Sequence, residues 1–134
     1  MAVETLNEAV SLGQRLKHVF VATTDPEGNP HVAAGGTISL VDEDRVAVSS
    51  WFCPGTVTNL EHNRRVSLVV WDAANDHGYQ IVGEVETLTD MSFADGYSPE
   101  IEESMPPPQV EREIVVRVER IMVFSHAPHS DQDV

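Results

Sequence analysis

The sequence predicts a small, mainly β protein with short helices, built as a six-stranded antiparallel barrel. Three observations lead there. Six runs rich in β-branched and aromatic residues recur along the 134-residue chain, most of them separated by tight-turn sequences. Across the first five strands only one short helical stretch intervenes. Strands this apolar would expose aggregation-prone edges unless the sheet closed on itself. The length suits one domain, residues 1–134, with an adequate core. A barrel of this size fills its interior with side chains, so a ligand is left to its outside or to a subunit interface.

Thr5 and Glu8 have capping-box spacing, and Leu6, Ala9, Val10, Gly13 and Leu16 recur at helical intervals, so residues 5–17 open the chain as a helix. His18–Thr24 (HVFVATT) is the first strand, ended by the turn sequence DPEGNP at residues 25–30. His31–Val41 is the second, in one piece, and Asp42–Asp44 turn it into the third, Arg45–Trp51 (RVAVSSW). A short helix then precedes the fourth strand, Arg65–Asp72 (RVSLVVWD). After the polar loop Ala73–His77, the fifth strand runs over Gly78–Thr89, its alternation clearest at Val85, Thr87 and Thr89.

Asp90–Gln109 changes character, with a short helix expected near Met91–Tyr97 and a stiff, exposed connection at Pro106–Pro108. Arg112–Phe124 is the sixth strand, long enough to cross a barrel and to close it by pairing with the start of the sheet. The tail at residues 125–134, SHAPHSDQDV, is polar and is expected to order only by docking.

Eight Lys and Arg stand against 22 Asp and Glu, a formal net charge of −14. Such a surface repels nucleic acid and anionic membrane, so neither is an expected partner. The apolar runs are too short to span a bilayer, and MAVETLNEAV lacks the basic start of a secretory signal. One cysteine, Cys53, excludes an intrachain disulfide framework and fits a cytoplasmic location. An anionic ligand must therefore be held by backbone N–H groups, hydroxyls and a few local arginines.

Ser49–Asn63 (SSWFCPGTVTNLEHN) is where such a ligand fits. Pro54 and Gly55 break the strand, Thr56 and Thr58 are good helix caps, and Thr58 with Glu61 has capping-box spacing. A strand that ends in small hydroxyl residues and feeds a Gly-Thr turn offers unpaired N–H groups and a helix dipole to a phosphate. An ordinary capped turn has the same signature. No Ser-His-Asp arrangement is present, and no side chain stands out as catalytic.

Other residues read structurally. Cys53 is a small apolar residue beside this segment. Trp51 and Trp71 suit a core or interface, and His31 a strand beside its turn. Pro128 disfavours a helix that would align His126 and His129, so no metal site is assigned.

Taken in order, the helix, HVFVATTDPEGNPHVAA, RVAVSSWFCPGTVTNLEHNRRVSLVVWD and GYQIVGEVETL resemble the flavin-binding split-barrel family typified by pyridoxamine 5'-phosphate oxidase. The resemblance runs from Leu6 to Leu88, and Arg112–Phe124 continues it. It implies a homodimer of split β-barrels with FMN at the dimer interface. Ala34, Gly35, Gly36 and Thr37 would then pass the flavin ring, and Ser49, Ser50 and Trp51 would line the ribityl and phosphate side. Gly55 and Thr56 stand where the family's pyridoxamine oxidases carry an Arg-Lys pair, with Asn59 one turn further on. Ala33 replaces an expected arginine, and the C-terminal Arg-x-His segment has no equivalent. Pyridoxamine phosphate oxidation is therefore not expected.

The resemblance implies an FMN-binding flavoprotein acting as an oxidoreductase on a small redox substrate. Two alternatives stand beside it. One is a non-catalytic flavin-binding or electron-transfer protein. The other is a split barrel without a cofactor, or with haem or a deazaflavin, that serves as an interaction module.

Overall fold

The computed structural model describes residues 3–90 and 111–134. The elements are α1 (Val3–Leu16), β1 (Val19–Thr24), β2 (Pro30–Gly35), β3 (Thr37–Asp42), β4 (Arg45–Trp51), α2 (Pro54–His62), β5 (Arg65–Asp72), β6 (His77–Asp90) and β7 (Arg112–Val123). The seven strands make one antiparallel sheet in the order β2-β1-β5-β6-β7-β4-β3. Its two outer strands follow one another in the chain and are parted only by Gly36. The sheet therefore curls into a split barrel, the class the sequence predicts.

Two expectations need correction. The strand read as continuous over His31–Val41 is two strands, bent where Gly36 donates its amide to the carbonyls of Ser49 (3.2 Å) and Ser50 (3.1 Å). The bend is possible because neither glycine there has a side chain. A Cβ on Gly35 would lie 3.1 Å from Val48 Cγ1, and one on Gly36 would lie 3.0 Å from Ser50 Cβ. The last strand also does not close the sheet onto its start. β7 lies between β6 and β4, and the bent β2–β3 segment brings the sheet's ends together.

Alternation along the strands fills the interior. Val19, Val21, Ile38, Val46, Val48, Leu68, Val70, Ile81, Ile114, Val116 and Ile121 are all fully buried, with Leu6 and Ala9 of α1 packed on the same core. α1 starts at Val3, so Thr5 lies inside the helix and the expected capping box does not form. Glu8 instead accepts a hydrogen bond from the Tyr79 hydroxyl (2.9 Å).

The polar tail docks. Asp76 accepts the backbone N–H groups of His126 (2.9 Å) and Ala127 (3.0 Å), and Val134 N–H donates to Ile121 O (2.8 Å). His126 Nε2 lies 3.4 Å from Asp76, and His129 Nδ1 donates to Ala127 O (2.8 Å), so both imidazoles serve the tail's own turn. The helix expected near Met91–Tyr97 and the proline run Pro106–Pro108 lie outside the described residues. Among the described residues no helix is long and apolar enough to cross a membrane.

Candidate functional site

The end of β4 departs from regular pairing. Val48 stands opposite Ile114 and Trp51 opposite Arg112, so β4 carries one extra residue in the Ser49–Ser50 step. Ser50 takes φ 60°, a left-handed conformation that a residue with a side chain adopts at a cost. Its hydroxyl lies 3.3 Å from that of Thr37, across the bend. The extra residue also reverses the alternation, so Trp51 turns inward. It is 1% exposed, and its indole N–H donates to Val48 O (3.1 Å).

α2 then begins at Pro54, with Cys53 in the N-cap position and no side chain capping the helix. Proline's fixed φ suits the first helical position, which is why the helix starts before the two threonines. Thr58 consequently lies inside α2, where its hydroxyl donates to Pro54 O (3.2 Å), and the Thr58–Glu61 capping box does not form. No acidic residue occupies the first turn. The amides of Gly55 and Thr56 are among those that an α-helix leaves without an internal partner, at its positive end.

One residue of this group was not legible as such. The ring of His31, on β2, lies against the start of α2, with Nε2 3.5 Å from Cys53 Sγ and Nδ1 3.5 Å from Thr56 Oγ1. A Cβ on Gly55 would sit 3.2 Å from His31 Nε2, so the glycine admits the ring. The sequence signal was present but faint: a polar residue at the start of a strand whose next same-face position, Ala33, is buried.

The structure thus forms two neighbouring groups along Ser49–Thr56. His31, Cys53, Gly55 and Thr56 meet at the α2 N-terminus, and Gly36, Thr37, Ser49 and Ser50 meet at the bend. Ala34 lies on the outer sheet face with Phe20 and Val69, its neighbours across β1, while Gly35 points inward. Asn59 is buried, and its amide donates to Thr23 Oγ1 (3.0 Å), fastening α2 to β1.

Three arginines are committed to carboxylates: Arg45 to Asp42 and Glu86, Arg65 to Glu119, and Arg112, which stands opposite Trp51, to Asp90. A surface hollow bounded by Val3, Asp42, Glu43 and Asp44 is acidic and unsuited to a phosphate. Among the described residues no group of three His, Cys, Asp or Glu side chains is placed to hold a metal ion.

The family model described as pyridoxamine 5'-phosphate oxidase matches residues 6–123. The chain belongs to the pyridoxamine 5'-phosphate oxidase family. Solved structures agree on the fold. A protein of the pyridoxinephosphate oxidase family from Clostridium acetobutylicum, related to general stress protein 26, superposes with a TM-score of 0.68 at 19% identity, covering 100% of this chain and 97% of that one. An FMN-binding protein from Syntrophomonas wolfei gives 0.65 at 17%, covering 93% and 89%. An F420 reductase gives 0.60 at 22%, covering 83% and 93%. No curated protein matches the sequence. In this member of the pyridoxamine 5'-phosphate oxidase family, Gly55 and Thr56 lie in the first turn of α2 and the imidazole of His31 packs on them.

Proposed function

We propose that this family member is an FMN-binding flavoprotein, acting as a cytoplasmic homodimer in redox chemistry and not as a pyridoxamine phosphate oxidase. The observation that carries the reading is the start of α2, an uncapped helix N-terminus without acid that is flanked by Thr56 and His31. These groups fit a phosphate monoester. The amide of Gly55 would donate to its oxygens, with the hydroxyls of Ser49 and Ser50 on the ribityl side, while Thr56 is fully buried.

Bound there, the isoalloxazine ring would supply the electron transfer, and the protein's part is to hold and orient it. Ala34 and its outer-face neighbours Phe20, Val32 and Val69 offer an apolar bed. Val32 is 63% exposed and Phe20 36%, a patch that a second copy would cover. No side chain of this chain is required as acid or base. A non-catalytic electron carrier would use the same groups. The likeness to an F420 reductase favours a deazaflavin in the same place as a second reading.

The test is the absorption spectrum of freshly purified protein, followed by titration of the apoprotein with FMN, riboflavin and a deazaflavin cofactor. Each charge-assisted hydrogen bond to phosphate contributes about 1.5–3 kcal/mol, so FMN should bind at least about tenfold more tightly than riboflavin. Equal affinity would remove the phosphate from α2. A monomer at micromolar concentration by sedimentation would remove the dimer.

A further inference from the structure

We infer that His31 supplies the positive charge for the anionic end of the ligand at α2 and makes its binding depend on pH, an inference that rests on the flavin reading above. The charge balance motivates it. A helix N-terminus contributes roughly half a positive charge, whereas a phosphate monoester carries about −1.5 to −2 near neutrality. On a chain of net charge −14 the difference must be met locally. Arg45, Arg65 and Arg112 are engaged by Asp42, Glu86, Glu119 and Asp90, and the imidazole is the ionisable base seated on α2's first turn.

His31 is placed for the task. Its two ring nitrogens have only long contacts, 3.5 Å each, to a thiol and a hydroxyl. The groups facing it are Cys53 and Thr56 from α2, Thr23 opposite it on β1, and Ala33 on its own strand. Among the described residues no carboxylate pairs with it. A protonated ring therefore has no internal counter-ion, and an anion at the adjacent helix start would provide one. Histidine is the side chain whose charge ordinarily changes between about pH 5 and 8. Affinity for a phosphate-bearing flavin should then rise as the ring gains its proton. Riboflavin, which lacks the phosphate, should not respond.

The experiment titrates apoprotein with FMN and riboflavin at about pH 6 and about pH 8, using wild type, His31→Gln and His31→Arg, each checked for native circular dichroism. The phosphate's own titration affects every variant alike, so the ratio of wild-type to variant affinity is the readout. His31→Gln should weaken FMN about tenfold at the lower pH and by less at the higher, and leave riboflavin within about twofold. His31→Arg should keep tight FMN binding and lose the pH-dependent difference. If His31→Gln weakens both flavins alike, or FMN equally at both pH values, the assignment is overturned. A wild type that prefers FMN at α2 but keeps that preference in His31→Gln sinks the His31 role alone. A wild type that binds neither flavin takes the flavin reading down as well.

Discussion

The amide of Gly36 donates to the carbonyl of Ser50 at 3.1 Å, and Ser50 itself is held at φ 60°. One bond thus joins the bend that brings the sheet's ends together to a strained residue at the end of β4. Strain of this kind persists only where the surroundings over-determine it, and it concentrates at ligand-binding positions. Here it sits beside the serine hydroxyls and directly before α2.

Ser50 should therefore tolerate residues that accept a left-handed backbone and reject those that do not. Ser50→Asn or Ser50→Gly is expected to unfold in urea close to wild type. Ser50→Val, β-branched at positive φ, should lose roughly 1–3 kcal/mol. Equal midpoints for the valine and asparagine variants would mean that the left-handed conformation is not held in solution.

Gly83 gives a second test, of the sheet register. A Cβ there would come 2.2 Å from Arg117 O and 2.9 Å from Val116 Cγ1, where β6 and β7 slip register between Val82 and Gly83. Backbone cannot move aside cheaply, so Gly83→Ala should cost about 3 kcal/mol or more. Gly28→Ala meets nothing within 4 Å but sits at φ 87°, so its smaller cost would be one of conformation alone. Denaturant midpoints that rank the two the other way would contradict the register.

The strands were legible because burial alternates along them: β1, β5 and β7 occupy almost the residues that their patterns predict. What local pattern could not supply was the outcome of competition between signals. Pro54 and the two threonines each propose a helix start, and proline's fixed φ prevails. Gly35–Gly36 signals a bend in a strand, but its direction depends on β4, a partner outside the local sequence. Trp51 lies inward because one extra residue precedes it, and that insertion is visible only in the pairing with β7. His31 joins the candidate site only because α2 packs over the β1–β2 hairpin.

Asp72 sets a pH dependence of stability. It is 7% exposed and accepts the Asn75 side-chain amide (2.7 Å), the backbone amides of Ala74 (3.1 Å) and Asn75 (3.3 Å), and Arg15 (3.4 Å). These donors, the Asn75 side chain foremost, hold its carboxyl below the usual aspartate range. A depressed carboxyl favours the folded state above its unfolded value, about 3.9, and this contribution is lost as pH falls through the lower folded value. Stability should therefore drop below about pH 4. Asp72→Asn should be less stable than wild type at neutral pH and fall less steeply in acid. Parallel acid limbs for the two proteins in urea titrations would exclude Asp72 as a contributor.

Gly55→Asp separates folding from binding. The new Cβ would lie 3.2 Å from His31 Nε2, at the side of a half-buried ring that can shift by a few tenths of an ångström. The carboxylate would stand in the first turn of α2, which now contains no acid. There it should stabilise the helix by about 0.3–1 kcal/mol through the dipole, offsetting the steric cost, and it can pair with protonated His31. The variant is expected to melt at or near the wild-type temperature. The same carboxylate would occupy the place proposed for phosphate and repel it, so FMN affinity should fall by about two orders of magnitude, roughly the loss of one or two charge-assisted bonds. Riboflavin binding should change far less. Gly55→Ala isolates the steric part and should leave most of FMN's preference over riboflavin intact. If Gly55→Asp melts as wild type and still binds FMN more tightly than riboflavin, the phosphate is held elsewhere and the start of α2 is only a helix end.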